Sequence, residues 1–364
     1  VAAEEYRRVL LHGFSPEEIA EQLANIRNAH VTAADSAATR SHAQLLGAAL
    51  ALVNDERVPD TPKNSLDRLE AFVPEITPDA VLGALRRELV PLEAPLLRFS
   101  GRTPPGGGPK GLRAAWDEAM RQPVARPKAS AAGAFAYTQF GPAGAVVGDV
   151  REPLLGIRQV RFANGVRLNL KRTELEQDRV LVQLSLDGGN MLATRDNPLA
   201  TRMVSVLALG GLGKHSRDEL DTLLAGRSVS ASFSATDESF VASAATTPRD
   251  LELELQLLAA QLTDPGYRKE GEVLFRQTIN NMFASLRATP GAALNADLGA
   301  ILSDNDPRFS LGAVESYRKL TFAKLKQDMA DRLAKGAIEI GVVGDIDEDK
   351  TIALVAGTLG ALPV

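Results

Sequence analysis

Cysteine is absent from all 364 residues. Without a thiol, disulfide frameworks, thiolate metal sites and a cysteine nucleophile are excluded together. The redox compartment stays open, because a cysteine-free chain is stable in either. Aromatic residues make up only 5%, too few for the stacking platforms that hold single-stranded nucleic acid. Excess positive charge is also missing. The net charge is −5 and no segment concentrates Lys and Arg, so the chain has no nucleic-acid footprint. No unbroken apolar run approaches the roughly 20 residues that span a bilayer, and no membrane partner is expected. Histidine is limited to His12, His30, His42 and His215. The spacing of the first three fits no ligand pattern, and all four are expected at surface or capping positions.

What remains is the composition of a globular protein, 45% hydrophobic and 24% charged, in a chain long enough for two cores. Its opening, VAAEEYRRVLLHGF, starts mid-helix without an initiator methionine, and TLGALPV stops as abruptly. We read the chain as a piece of a larger protein whose targeting signals lie outside it.

Residues 1–101 read as helical. Ser15-Pro16-Glu17-Glu18 is a capping box with proline at the first helical position, and Thr61-Pro62 and Thr77-Pro78 repeat the start signal. Ala94–Phe99 could close this region as a strand. From Thr103-Pro104-Pro105-Gly106-Gly107-Gly108-Pro109 onward, 102–156 reads as a Gly/Pro-rich connector with one helix near Leu112–Met120. The remainder, 157–364, reads as α+β. Asn164-Gly165 marks a hairpin, and Val180, Val182, Leu184 and Leu186 alternate as a strand. Asn197-Pro198 starts a helix carrying Leu199, Met203, Val206 and Leu207, and Ser216–Glu219 is a second capping box. Val229–Ala235 and Phe240–Ala244 form another hairpin, Leu251–Leu262 a helix, Ile338–Val343 a strand, and Asp347–Leu359 a closing helix.

Several strings imitate known sites and fail on inspection. Gly210-Gly211-Leu212-Gly213-Lys214-His215-Ser216 looks like a phosphate loop, but Ala208 stands where its first glycine belongs and His215 where Ser or Thr must hold magnesium. Asp345, Asp347, Glu348 and Asp349 lack calcium-loop spacing and read as an acidic first helical turn. No G-x-S-x-G arrangement points to an acyl-enzyme.

One stretch, PLATRMVSVLALGGLGKHSRDEL (198–220), resembles the zinc-binding helix and following turn of the pitrilysin/insulinase-like metallopeptidases, which carry H-x-x-E-H. Aligning Gly211, Gly213-Lys214-His215-Ser216 and Glu219-Leu220 places the motif on Arg202, Met203, Val204, Ser205 and Val206. The third ligand position falls near Gln277. Further family-like segments are Phe162–Val166, the strand running into Gly344-Asp345-Ile346-Asp347, the terminal Leu362-Pro363, and Leu11-His12-Gly13 before the Ser15 cap.

The resemblance implies a mostly antiparallel sheet covered by helices in a two-layer α+β domain, preceded by a mainly helical partial domain. The chain would be the end of a second homologous domain, a hinge-like linker and a third domain. Four such domains enclose a chamber in the family, and only the first carries zinc. Arg202 and Val206 cannot ligate a metal, so no cofactor and no catalytic residue are expected in this chain. Zinc is expected in the catalytic domain of the parent protein. The degenerate metal positions are Arg202, Ser205, Val206 and Gln277. By the same resemblance, Val229, Ala231, Phe233, Phe240 and Ala242 are candidates for a strand edge that holds extended peptide; the plain alternative is interior sheet. Expected partners are the remaining parent domains and a peptide substrate, and a periplasmic or secreted home follows from the resemblance alone. The truncated helical region would dock on the second half or on another copy of the chain, giving a homo-oligomer. Two other readings stand beside this one: a scaffold or assembly module using the same fold without protease activity, and a hydrolase with a novel site.

Overall fold

The structure, a computed structural model, describes residues 2–89, 95–101, 103–126 and 133–363. Its contacts divide the chain into two units, 1–34 with 60–132 and 35–59 with 133–364.

The first unit is built from α1 (Ala2–His12), α2 (Pro16–Asp35), α4 (Pro62–Phe72), α5 (Pro78–Glu88) and α6 (Gly108–Ala119), while α3 (His42–Asp55) belongs to the second. The helix starts follow the cap chemistry. The Glu18 amide donates to Ser15 Oγ at 3.1 Å and the Ser15 amide to the Glu18 carboxylate at 2.7 Å. Thr61 and Thr77 cap α4 and α5, each followed by proline. Gly13, at φ +69, turns the chain from α1 into α2. Arg27 on α2 grips Glu70 on α4 through two hydrogen bonds of 2.6 and 2.7 Å.

What this unit lacks is a core. Among the described residues of these five helices, Ala3 alone is buried. Such a unit is a mainly helical region with no strand among its described residues. The strand suggested for Ala94–Phe99 does not form: 95–99 is irregular with Leu96 fully exposed, and Ala94 lies outside the described residues.

The second unit carries β1 (Val146–Glu152), β2 (Ile157–Phe162), β3 (Arg167–Arg172), β4 (Val180–Asp187), β5 (Phe233–Ala235), β6 (Ser239–Thr246) and β7 (Ile338–Gly344) in one sheet of order β1-β2-β3-β7-β4-β6-β5. Every pairing is antiparallel except β3 with β7. Its helices are α7 (Arg217–Leu223), α8 (Leu251–Thr263), α9 (Lys269–Ser285), α10 (Pro290–Leu302), α11 (Val314–Arg318), α12 (Phe322–Lys335) and α13 (Glu348–Gly357).

Alternation along β4 sends Val180, Val182, Leu184 and Leu186 into the core, where they meet Leu255 and Leu258 of α8, Phe322 and Leu325 of α12, and Val355 of α13. The opposite face shows Leu181 and Val343, 48% and 39% exposed, so helices cover one side only. The result is a two-layer α+β domain with a mostly antiparallel sheet. The Asn164-Gly165 hairpin joins β2 to β3, with Gly165 at φ +93. The Asn164 amide also donates to the carbonyls of Leu359 and Leu362 at 2.9 and 3.1 Å, fastening the end of the chain to the turn.

β1 appears within the stretch read as connector. Val146, Val147 and Val150 are exposed on both faces of this edge strand, so nothing imposes the alternation that would have marked it in the sequence.

Phe240 on β6 is wholly buried at the centre of this core. Phe240→Ala is expected to lower the unfolding free energy by about 3–5 kcal/mol, read from urea denaturation of the full chain.

Candidate functional site

The stretch resembling a zinc-binding helix is not an α-helix. Residues after Asn197 run through turns into a 3-10 helix over Val204–Gly210. The amides of Arg202, Val204 and Val206 donate to the carbonyls of Leu199, Thr201 and Met203, each 3.1 Å and three residues back. The burial pattern gives the reason. Leu199, Ala200, Thr201, Met203, Val204 and Leu207 are all buried, a distribution too broad for one α-helical stripe. β-Branched Thr201, Val204 and Val206 also weaken the α-helical preference. Gly211, at φ +67, ends the segment, and a Cβ there would sit 2.5 Å from the His215 carbonyl oxygen.

The 3-10 segment packs against α9 on one side and β5 on another. The structure thus brings together the segment with Arg202–Val206, the helix with Gln277 and the outermost strand of the sheet. Its side chains do not form a metal site. Met203 and Val204 are turned into the core, Arg202, Ser205 and Gln277 are exposed, and Val206 is half-buried. A guanidinium is permanently charged and donates only, a valine has no lone pair, and among the described residues no group of three or more His, Asp or Glu could hold a metal ion. The donor set does not fit zinc.

The proposed peptide edge is shorter than the sequence pattern indicates. Phe240 and Ala242 lie on β6, which pairs with β4 on one side and β5 on the other, so they are interior and the edge assignment for them is corrected. Val229 and Ala231 are half-buried but outside any strand. The cause is chemical. The Ser228 amide donates to Asp250 Oδ2 at 2.7 Å and the Ser230 amide to Glu254 Oε2 at 2.8 Å. Two buried carboxylates at the start of α8 take the amides that a longer ladder would have used. Of the five residues, Phe233 alone stands on β5, the terminal strand of the sheet. Thr236 donates to Ser239 across the turn, and since bonded pairs alternate in an antiparallel ladder, the amides of Phe233 and Ala235 point away from β6.

Asp250 and Glu254 were not foreseen as important, although Glu254 lies three residues after Leu251 and four before Leu258, on the buried face. Both are wholly buried. Burial pushes Asp250 up, but the Ser228 amide and the guanidiniums of Arg249 and Arg227 outweigh it and hold the carboxyl below its ordinary value. Glu254 has no cation beside it. Burial raises it to about 7, against one favourable bond from the Ser230 amide, and its Oε1 is buried with no hydrogen-bond partner.

The turn after the 3-10 segment is clamped from two directions. Tyr137 donates to Asp264 Oδ2 at 2.6 Å and accepts the Lys214 amide at 2.8 Å. Burial, then the bond to Asp264, push its hydroxyl up to about 12. Arg268 reaches the carbonyls of Gly210, His215 and Gly213 at 2.9, 3.0 and 3.0 Å. His215, expected at the surface, is instead buried, stacked on Phe135 and accepting the Ala136 amide at Nε2. The Gly-rich string is therefore a fixed structural turn.

No protein-family model matches the chain. It is 24% identical over 211 residues to the chloroplastic stromal processing peptidase of Arabidopsis thaliana, covering 57% of this chain and 17% of that protein. The Pisum sativum stromal processing peptidase is 23% identical over 209 residues, again covering 17% of its length. Among solved structures, the periplasmic protease PqqL from Escherichia coli aligns with all of this chain and 40% of its own, with a TM-score of 0.59 at 15% identity. The ferredoxin protease FusC, solved with Arabidopsis ferredoxin, aligns over 99% of this chain and 40% of its own, with a TM-score of 0.56 at 14% identity. The fold is thus that of peptidase-like α+β domains. The resemblance to the pitrilysin/insulinase-like peptidases is borne out, and the chain spans well under half the length of the relatives it matches.

The lone Glu254 carboxylate makes stability depend on pH. Its folded value, about 7, lies above its ordinary 4.5, so its contribution is full below about 4.5 and is lost as pH rises through about 7. The loss is about 3 kcal/mol. Glu254→Gln keeps an acceptor for Ser230 and removes the buried charge. It should gain about 1–3 kcal/mol over the parent chain at pH 8 and little at pH 5, measured by urea unfolding at both. An equal difference at the two pH values would contradict this account.

Proposed function

We propose that this chain is a non-catalytic region of a zinc metallopeptidase, which helps shape a substrate chamber and contributes to peptide binding while another domain cuts. The observation that carries the reading is the 3-10 segment lodged between α9 and β5. In this reading Arg202, Val206 and Gln277 stand where the family would ligate zinc, and Ser205 where it would carry the general-base glutamate. Sequence relation to stromal processing peptidases and fold likeness to PqqL and FusC support it. The likeness to a periplasmic protease, together with the absence of a long apolar helix among the described residues, supports a periplasmic home for the parent.

Peptide would bind by strand addition on β5, where the amides of Phe233 and Ala235 face outward. The role first assigned to Val229 and Ala231 passes to Phe233–Ala235, since the amides beside the former are taken by Asp250 and Glu254. The zinc-dependent step belongs to a domain outside this chain, and no step of hydrolysis is assigned to these residues. The helical first unit, with its nearly coreless helices, would be the end of a preceding homologous domain. A scaffold role without proteolysis remains the second reading, favoured by the same loss of ligands.

A labelled, Lys-flanked peptide of alternating Val and Thr tests strand addition by fluorescence anisotropy. Ala235→Pro deletes one outward amide and should weaken binding at least tenfold while the urea midpoint stays within the range of an edge substitution. Unchanged affinity in a folded variant would contradict the edge assignment.

A further inference from the structure

A cavity of about 740 Å³ opens between the C-terminal ends of α8 and α12 and the strand ends at Val166, Leu186 and Ile338. It lies wholly within the second unit and apart from the 3-10 segment. Its size falls in the range of small-molecule sites. Its walls are mostly apolar, with Leu186, Leu262, Leu333 and Ile338 among the lining residues.

The polar groups on this wall divide into those already satisfied and those left over. Asn164 spends its amide on the carbonyls of Leu359 and Leu362 and accepts the Val166 amide at Oδ1. Asp264 accepts the Tyr137 hydroxyl and lies packed against Gly213. Lys335 pairs with Asp331 at 3.4 Å. Two groups remain. The Lys326 ammonium rests 5.5 Å from the centroid of the Tyr267 ring, and no carboxylate among the described residues pairs with it. The Tyr267 hydroxyl also lacks a hydrogen-bond partner, but it is closed to water and does not open onto the cavity.

We propose that this cavity binds an aliphatic carboxylate, a medium-length alkyl chain with one anionic head. The head would be drawn to the exposed Lys326 ammonium, while the chain lies against Leu186, Leu262, Leu333 and Ile338. A peptide fits less well. Each of its amides would need a partner on a wall whose other polar groups are already committed. A neutral alkyl chain gains the apolar contact but leaves the ammonium unmatched. The site is independent of the peptidase reading, since it uses neither β5 nor the 3-10 segment.

Isothermal titration of the full chain with sodium decanoate at pH 7.4 tests the proposal, with decanol and N-acetyl-Leu-Leu as comparison probes. Decanoate is expected to bind one to one with micromolar affinity, and decanol and the dipeptide at least tenfold more weakly. Lys326→Met keeps the aliphatic stem and should cost about tenfold for decanoate with no change for decanol. Tyr267→Phe keeps the ring, removes only a hydroxyl closed to the cavity and should leave decanoate affinity unchanged, and thermal unfolding of each variant reports on folding. Three results would overturn the proposal: no saturable decanoate binding, equal affinity for decanol, or affinity unchanged in the folded Lys326→Met variant. Preferential binding of N-acetyl-Leu-Leu would also overturn it, marking the cavity as a peptide site.

Discussion

The second unit depends on one helix being buried almost all round. Ten of the thirteen residues of α8 are inaccessible, among them Glu254, Gln256 and Gln261. Leu251, Leu255, Leu258 and Leu262 seat it on the sheet core. Such burial supplies the main stabilisation, because aliphatic contact area dominates over the polar terms. The same burial commits both ends of the helix to fixed chemistry. At its start, Asp250 and Glu254 capture the amides of Ser228 and Ser230 and draw that segment off the sheet. Just past its end, Asp264 holds Tyr137 and the Gly213 amide, which fixes the turn after the 3-10 segment.

These commitments also shape the end of the sheet at β5. β5 is cut to three residues because the chain before it answers to α8 instead of β6. The 3-10 segment lies between β5 and α9 with its apolar side chains turned inward. In the proposed reading Arg202 and Val206 stand where the family carries histidines, while Met203, Val204 and Leu207 pack into the core. A scaffold can lose its metal this way without losing its fold, since the ligands of such a site contribute little to the core and their neighbours contribute much.

Much of the fold was legible wherever one local rule acted alone. The Ser15, Ser216, Thr61 and Thr77 caps, the Asn164-Gly165 hairpin and the alternating β4 each follow from a spacing that tertiary contacts reinforce. The readings that changed are those where tertiary contacts overrode the local pattern. Residues 199–207 carry apolar side chains at helical spacing, but too many must be buried at once. Val229 and Ala231 alternate as a strand should, yet neighbouring amides meet carboxylates distant in sequence. β1, open on both faces, carries no periodic signal, and His215 is inside because Phe135 and Ala136 fold over it. The buried role of Glu254 is legible in its spacing on the predicted helix, three residues after Leu251 and four before Leu258.

The central claim is that this chain retains a peptidase scaffold in which the groups able to bind metal have been replaced. Calorimetric titration of the metal-free full chain with zinc chloride tests it most directly. Heat should be no more than weak and non-stoichiometric, and Arg202→Ala should leave it unchanged. One-to-one binding of nanomolar affinity would contradict the claim, because it would require ligands that the 3-10 segment and α9 do not present.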